Sequence, residues 1–116
     1  MMVRRPLRVS ESWWQMPGHS FAESAEADLA DIVQFTLHTW GAAKASVYID
    51  GLDQLATSIA DNPRIGKPCE NLAPGLRAFP YESHTLYYLT DEEAITIIRV
   101  LHQRMNATLQ FGAGRV

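Results

Sequence analysis

Ile97-Ile98-Arg99-Val100-Leu101-His102-Gln103-Arg104-Met105 is the stretch on which the fold turns. A β-rich apolar run of this kind is buried on both faces, so it reads as a central strand of a small sheet. It ends abruptly in a histidine, an arginine and a methionine. Polar groups on the end of a rigid strand are well placed to meet a partner or do chemistry, unless the strand simply stops where it reaches water.

Two more β segments precede it, at residues 76–81 and 85–89, and the strand itself spans 94–101. The separators Glu82-Ser83-His84 and residues 90–93 are short enough for antiparallel hairpins. Upstream, residues 64–75 read as an ordered loop edged by Pro63, Gly66, Pro68, Pro74 and Gly75. Before the loop, Ala25, Leu29, Ile32, Val33, Thr36, Leu37 and Trp40 recur at helical spacing, with Ser24 or Ser20 as cap and Gly41 as stop. Ala45, Tyr48, Ile49, Leu52, Leu55, Ala56 and Ile59 form a second stripe, closed by Asp61-Asn62-Pro63. Trp40 reads as a core anchor against this second helix. The prediction is an α+β domain, with an N-terminal α-hairpin packed on a small antiparallel β-sheet. Residues 1–22 form an N-terminal extension or a first strand, and residues 23–116 form the domain. Leu7-Arg8-Val9 is a candidate strand, followed by Trp13, Trp14, Pro17 and Gly18; Met16 offers an alternative start.

At 116 residues, 47% apolar and 20% charged, the chain is long enough for one core and too hydrophobic for wholesale disorder. No apolar stretch approaches membrane-spanning length, so no membrane partner is expected. One cysteine, Cys69, excludes an internal disulfide and suits a reducing cytoplasm. No Cys/His spacing suggests zinc and no glycine-rich phosphate loop is present, so neither metal nor cofactor is expected. The net charge of −3 is uneven: seven acids lie between Glu23 and Asp61 against Lys44 alone, whereas five bases match five acids from Asn62 to Arg104. Lys44, Arg64 and Lys67 are too dispersed for a nucleic-acid patch, and direct DNA binding by this chain alone is not expected.

Several short motifs then occur in a telling order: Ala25-Glu26-Ala27-Asp28-Leu29-Ala30-Asp31-Ile32, Trp40-Gly41, the stripe from Tyr48 to Leu52, and Asn62-Pro63-Arg64-Ile65-Gly66-Lys67-Pro68. Leu72-Ala73-Pro74-Gly75-Leu76-Arg77, Ser83-His84 and the closing Ile98–Met105 run complete them. Together they resemble the ParE branch of the ParE/RelE toxin superfamily, the toxin halves of bacterial type II toxin–antitoxin pairs, often described as plasmid stabilisation proteins. The resemblance spans residues 25–105. It implies a bacterial, cytoplasmic toxin that inhibits DNA gyrase and is neutralised by a cognate ParD-like antitoxin wrapping the helical hairpin and a sheet edge. The antitoxin-binding side chains are then Leu29, Ile32, Leu52 and Leu55, and the target-binding ones Arg77, His84, Arg99, His102 and Arg104.

The pattern departs at its start, where Ala22 and Glu23 stand in place of a Ser/Thr-ended strand. Either residues 7–10 supply that strand, with an insertion after it, or residues 19–21 do so in degenerate form. A decayed, non-toxic antitoxin-binding module is therefore an alternative. So is a RelE-type, ribosome-dependent mRNA endonuclease, in which Glu70 and His102 act as an acid/base pair while Arg77 holds the scissile phosphate. Against it, Gln103 stands where such enzymes place a tyrosine, and Arg77 can instead pair with an acid of helix one or of the antitoxin.

Overall fold

Two helical stripes separated by a single residue need a sharp chain reversal, and Gly41 makes it at φ 94°, ψ 170°, a region that essentially only glycine occupies. The computed structural model describes residues 19–91 and 94–112. Its elements are β1 (His19–Phe21), α1 (Glu23–Trp40), α2 (Ala42–Asp61), β2 (Lys67–Pro68), β3 (Arg77–Tyr81), β4 (His84–Thr90), β5 (Ile95–His102) and α3 (Ala107–Gly112). A 3-10 turn, Pro63–Ile65, lies between α2 and β2. The candidate strand at 7–10, the segment with Trp13, Trp14 and Met16, and Glu92 and Glu93 of the expected turn lie outside the described residues.

The fold is the expected α+β arrangement, with the sheet order β1-β5-β4-β3-β2. The sheet is mixed rather than wholly antiparallel. β3, β4 and β5 form the predicted meander, and β1 adds to β5 in parallel, with His19 beside Ile95 and Phe21 beside Ile97. Thus β5 is central, as its continuous apolar run implied, and residues 19–21 supply the first strand. The loop after α2 also contributes β2, a two-residue strand on β3.

Beyond β1, the outer edge of β5 is closed by α1 instead of by another strand. Ala22 N donates to Ile97 O at 2.8 Å, and Ser24 Oγ donates to Ile98 O at 2.8 Å. One oxygen of Asp28 accepts from Val100 N at 2.8 Å. This corrects the capping expectation: the N-cap is Ala22, with no side-chain cap bond, because Ser24 is engaged on the strand edge. Covering an edge in this way removes a site for unwanted strand addition.

The core lies between the helices and one sheet face, with Ala25, Ile32, Leu52, Ala56 and Ile59 against Leu86, Tyr88, Ile95, Ile97 and Val100. Each of the buried Leu, Ile and Val side chains contributes about 1.5–3 kcal/mol by leaving water. Tyr88 is fully buried and satisfied, because its hydroxyl accepts from Gly66 N at 2.9 Å and donates to Pro63 O at 2.7 Å. That pair of bonds pins the loop after α2 to the sheet. On β3, Tyr81 reaches Tyr48 O at 2.9 Å, and a Cβ at Gly51 would overlap its hydroxyl. Toward the chain's end, Phe111 of α3 meets Tyr87 edge-on at 5.1 Å. Trp40 is not a core anchor: it is 62% exposed at the tip of α1, its ring beneath Lys44 Nζ at 5.4 Å. No helix among the described residues is long and apolar enough to cross a membrane.

Candidate functional site

The polar end of β5 lies against the mouth of the helical hairpin. A β-bulge brings it there. Tyr87 pairs with Arg99 and Tyr88 with Ile97, so Ile98 is the extra residue. Strict alternation would put Ile97 and Val100 on opposite faces. The bulge puts both in the core, and it carries His102, two residues on, to the same face.

There a groove of about 450 Å³ opens between α1, the start of α2 and the ends of β4 and β5. Ile32, Phe35 and Trp40 of α1, with Val100 and Met105, give it apolar walls; Tyr48, His84, His102 and Arg104 give it a polar end. Asp28 and Asp31 line it along α1. Phe35 is 65% exposed and Met105 is exposed as well. The polar end is internally bonded. Tyr48 Oη and His84 Nδ1 are 2.6 Å apart, the His84 and His102 rings meet edge to face at 5.2 Å, and Arg104 N donates to His102 Nδ1 at 3.0 Å. Burial, followed by the neighbouring His102, holds the His84 imidazole below its ordinary 6.5, with Asp28 pulling the other way. Burial also pushes the Tyr48 phenol up, against polar groups of Ser83 that pull it down.

The expected target-binding residues separate into three places. His84, His102 and Arg104 share the groove. Arg77 lines a second cleft of about 510 Å³, with Arg64, Glu70 and Thr90. There its Nη1 donates to Gly66 O at 2.6 Å and to Arg64 O at 3.3 Å, and not to an acid of α1. The helix-one partnership belongs to Arg99, whose Nε and Nη2 clasp the two Asp28 oxygens at 2.8 and 3.0 Å. That carboxylate holds the guanidinium even more firmly charged than usual, against the opposing effect of burial. Arg99 is thereby occupied within the fold.

The proposed nuclease set is not assembled. Glu70 Oε2 accepts from Gly75 N at 3.1 Å and so braces its own loop. Arg77 pairs with Tyr88 and His102 pairs with His84, four positions apart along β4, or about 13 Å. Glu70 and His102 line different clefts. No group of three or more His, Cys, Asp or Glu among the described residues is arranged to hold a metal.

Of the expected antitoxin-binding residues, Leu52 is 1% and Ile32 7% exposed, and Leu29 and Leu55 are partly buried against the same core. These side chains seat the hairpin on the sheet, and Ile32 alone of the four also lines the groove. Phe35 and Trp40, which sequence reasoning passed over as surface contacts, are exposed apolar groups of the hairpin that line the groove, whereas Leu37 and Val47 are exposed outside it. The signal was present: Phe35 is a large aromatic off the buried Ala25, Ile32, Thr36 stripe of an amphipathic helix.

Comparison with known proteins agrees with this architecture. The family model for the ParE toxin of the type II toxin–antitoxin system, parDE, matches residues 20–107. Toxin ParE1 of Mycobacterium tuberculosis is 42% identical over 84 residues, covering 72% of this chain and 86% of that protein. Toxin ParE1 of Caulobacter vibrioides is 37% identical over 97 residues, covering 84% and 100%. Toxin ParE of Escherichia coli is 33% identical over 92 residues, covering 78% and 89%. A solved structure described as the chromosomal ParDE TA system from P. aeruginosa superposes with a TM-score of 0.64 at 22% identity, covering 75% of this chain and 96% of that one.

Proposed function

The chain belongs to the ParE toxins of type II toxin–antitoxin systems, and from that premise we propose that it arrests growth by inhibiting DNA gyrase and is neutralised by a ParD-like antitoxin. The observation carrying the gyrase reading over RNA cleavage is the dispersal of Glu70, Arg77 and His102. General acid–base cleavage needs its acid, base and phosphate-holding cation around one scissile bond, and here they are divided between two clefts. Inhibition by binding needs only a surface. His84, His102 and Arg104 at the groove end supply its polar part, with Arg77 beyond them on the sheet.

The same groove serves neutralisation. An amphipathic antitoxin segment laid on Phe35, Trp40 and Met105 buries exposed hydrocarbon and covers His84, His102 and Arg104 in the same act. The antitoxin thus masks the surface the target meets. Leu29, Ile32, Leu52 and Leu55 then act by holding the hairpin that forms one wall.

Induction in a susceptible bacterium tests the reading, with growth, plasmid supercoiling and mRNA 5′ ends followed together. Growth arrest with lost supercoiling and no new 5′ ends is expected, reversed by co-expressing a ParD-like reading frame adjacent to the gene. Arrest with gyrase activity intact overturns the gyrase assignment. Absence of arrest supports the decayed module instead.

A further inference from the structure

Each imidazole at the groove end is held through its Nδ1 by a bond within the fold. The Arg104 backbone N–H can only donate, so His102 Nδ1 at 3.0 Å is an acceptor, and the neutral ring carries its hydrogen on Nε2. His84 Nδ1 faces the Tyr48 hydroxyl at 2.6 Å. With the phenol as donor to that nitrogen, the His84 hydrogen lies on Nε2 as well. With each Nδ1 occupied inside the fold, each ring keeps one Nε2–H for an outside acceptor. The ring centroids are 5.2 Å apart, edge to face, so the two rings are neighbours and within reach of one small bound group. A metal ion suits the pair poorly, because both rings present N–H where a metal requires a lone pair.

We infer that His84 and His102, with Arg104 beside them, clamp a carboxylate of the polypeptide segment that fills the groove. This rests on the reading that a peptide antitoxin docks there, and it specifies the chemistry of that partner: an amphipathic segment with an acidic side chain opposite the histidines and apolar ones over Phe35 and Trp40. Charge on the groove favours this occupant over a nucleic acid. Asp28 is paired with Arg99, Asp31 is acidic, and Arg104 is the one Lys or Arg among the described residues that line the groove, so a polyanionic backbone finds no run of cations along its length, whereas a single carboxylate needs only the polar end. The charged and titratable groups around the pair are Asp28 and Asp31 from α1, Tyr48 from α2, Tyr81 and Glu82 at the end of β3, and Arg104 beyond β5; Asp28 is already engaged by Arg99 and Val100.

Titration of the full-length, isotope-labelled chain with three small probes tests the clamp: hexanoate, its neutral isostere hexanamide, and hexyl phosphate. The imidazole Cε1–H signals of His84 and His102 and the Trp40 indole signal are followed by NMR. Hexanoate is expected to move both histidine signals together, and hexanamide to bind at least about tenfold more weakly. In a His84→Leu/His102→Leu variant, which has no side-chain donor at either position, that preference is expected to vanish while the Trp40 indole still responds to both tails. Equal binding of hexanoate and hexanamide by the unaltered chain overturns the clamp, and tighter binding of hexyl phosphate overturns the assignment to a peptide carboxylate. Antitoxin rescue separates this inference from the reading beneath it. Rescue lost in Phe35→Glu but undiminished in the double-histidine variant removes the clamp and leaves antitoxin docking standing. Undiminished rescue of both variants removes both.

Discussion

Asp28 shows how much one side chain can organise. Its carboxylate receives two bonds from Arg99 and one from the Val100 backbone, so it neutralises a cation and satisfies a strand edge at once. Asp28→Ala leaves the partly buried guanidinium and the N–H without acceptors, and about 2–4 kcal/mol of stability is expected to go, read as a lower urea midpoint. Asp28→Asn keeps one acceptor and is expected to lose less. His84 gives a pH effect of defined sign. Its pKa lies below 6.5 in the folded chain, chiefly through burial, and near 6.5 when unfolded. Well above pH 6.5 both states are neutral and the group has no influence. As pH falls through 6.5 the unfolded chain protonates first, so stability drops until the folded pKa is passed. Urea midpoints at pH 8 and pH 5 should therefore converge in His84→Gln relative to the unaltered chain; an unchanged decline would rule the effect out.

At the level of elements, the helical hairpin depends on one residue. Gly41 has φ 94° and ψ 170°, and its Cβ position is open, with nothing within 4 Å. Gly41→Ala is therefore limited by backbone strain alone, with an expected cost of about 1–3 kcal/mol; a thermal midpoint equal to that of the unaltered chain contradicts this. Both helices and the three meander strands were legible in the sequence, because periods of 3.6 and 2 are local properties of the chain. Their ends fell within two residues of expectation. β2 was not legible: Lys67-Pro68 has no β pattern and becomes a strand only because β3 lies beside it. Nor was the bulge at Ile98, which a continuous apolar run conceals, since alternation is the only register mark a strand carries.

For the whole molecule, the feature of consequence is an apolar groove open among the described residues. Phe35→Glu and Trp40→Glu alter side chains that are 65% and 62% exposed, so stability is expected to stay within about 0.5 kcal/mol. Capture of the proposed ParD-like antitoxin by these variants, measured by co-purification, is expected to fall sharply. Undiminished capture with both substitutions would place the antitoxin elsewhere.

By itself the sequence determined the α+β class, the hairpin, the meander and, through short motifs in a fixed order, the ParE family. These follow from local periodicity, turn residues and the chain order of motifs, none of which requires knowing what folds against what. Only the tertiary structure decided that Asp28 meets Arg99 across 71 residues, that Trp40 stands in solvent, and that Glu70 and His102 line different clefts. Such meetings depend on strand register, on one bulge and on how the hairpin seats on the sheet. They are set by the simultaneous packing of elements distant in sequence, and no local pattern encodes that.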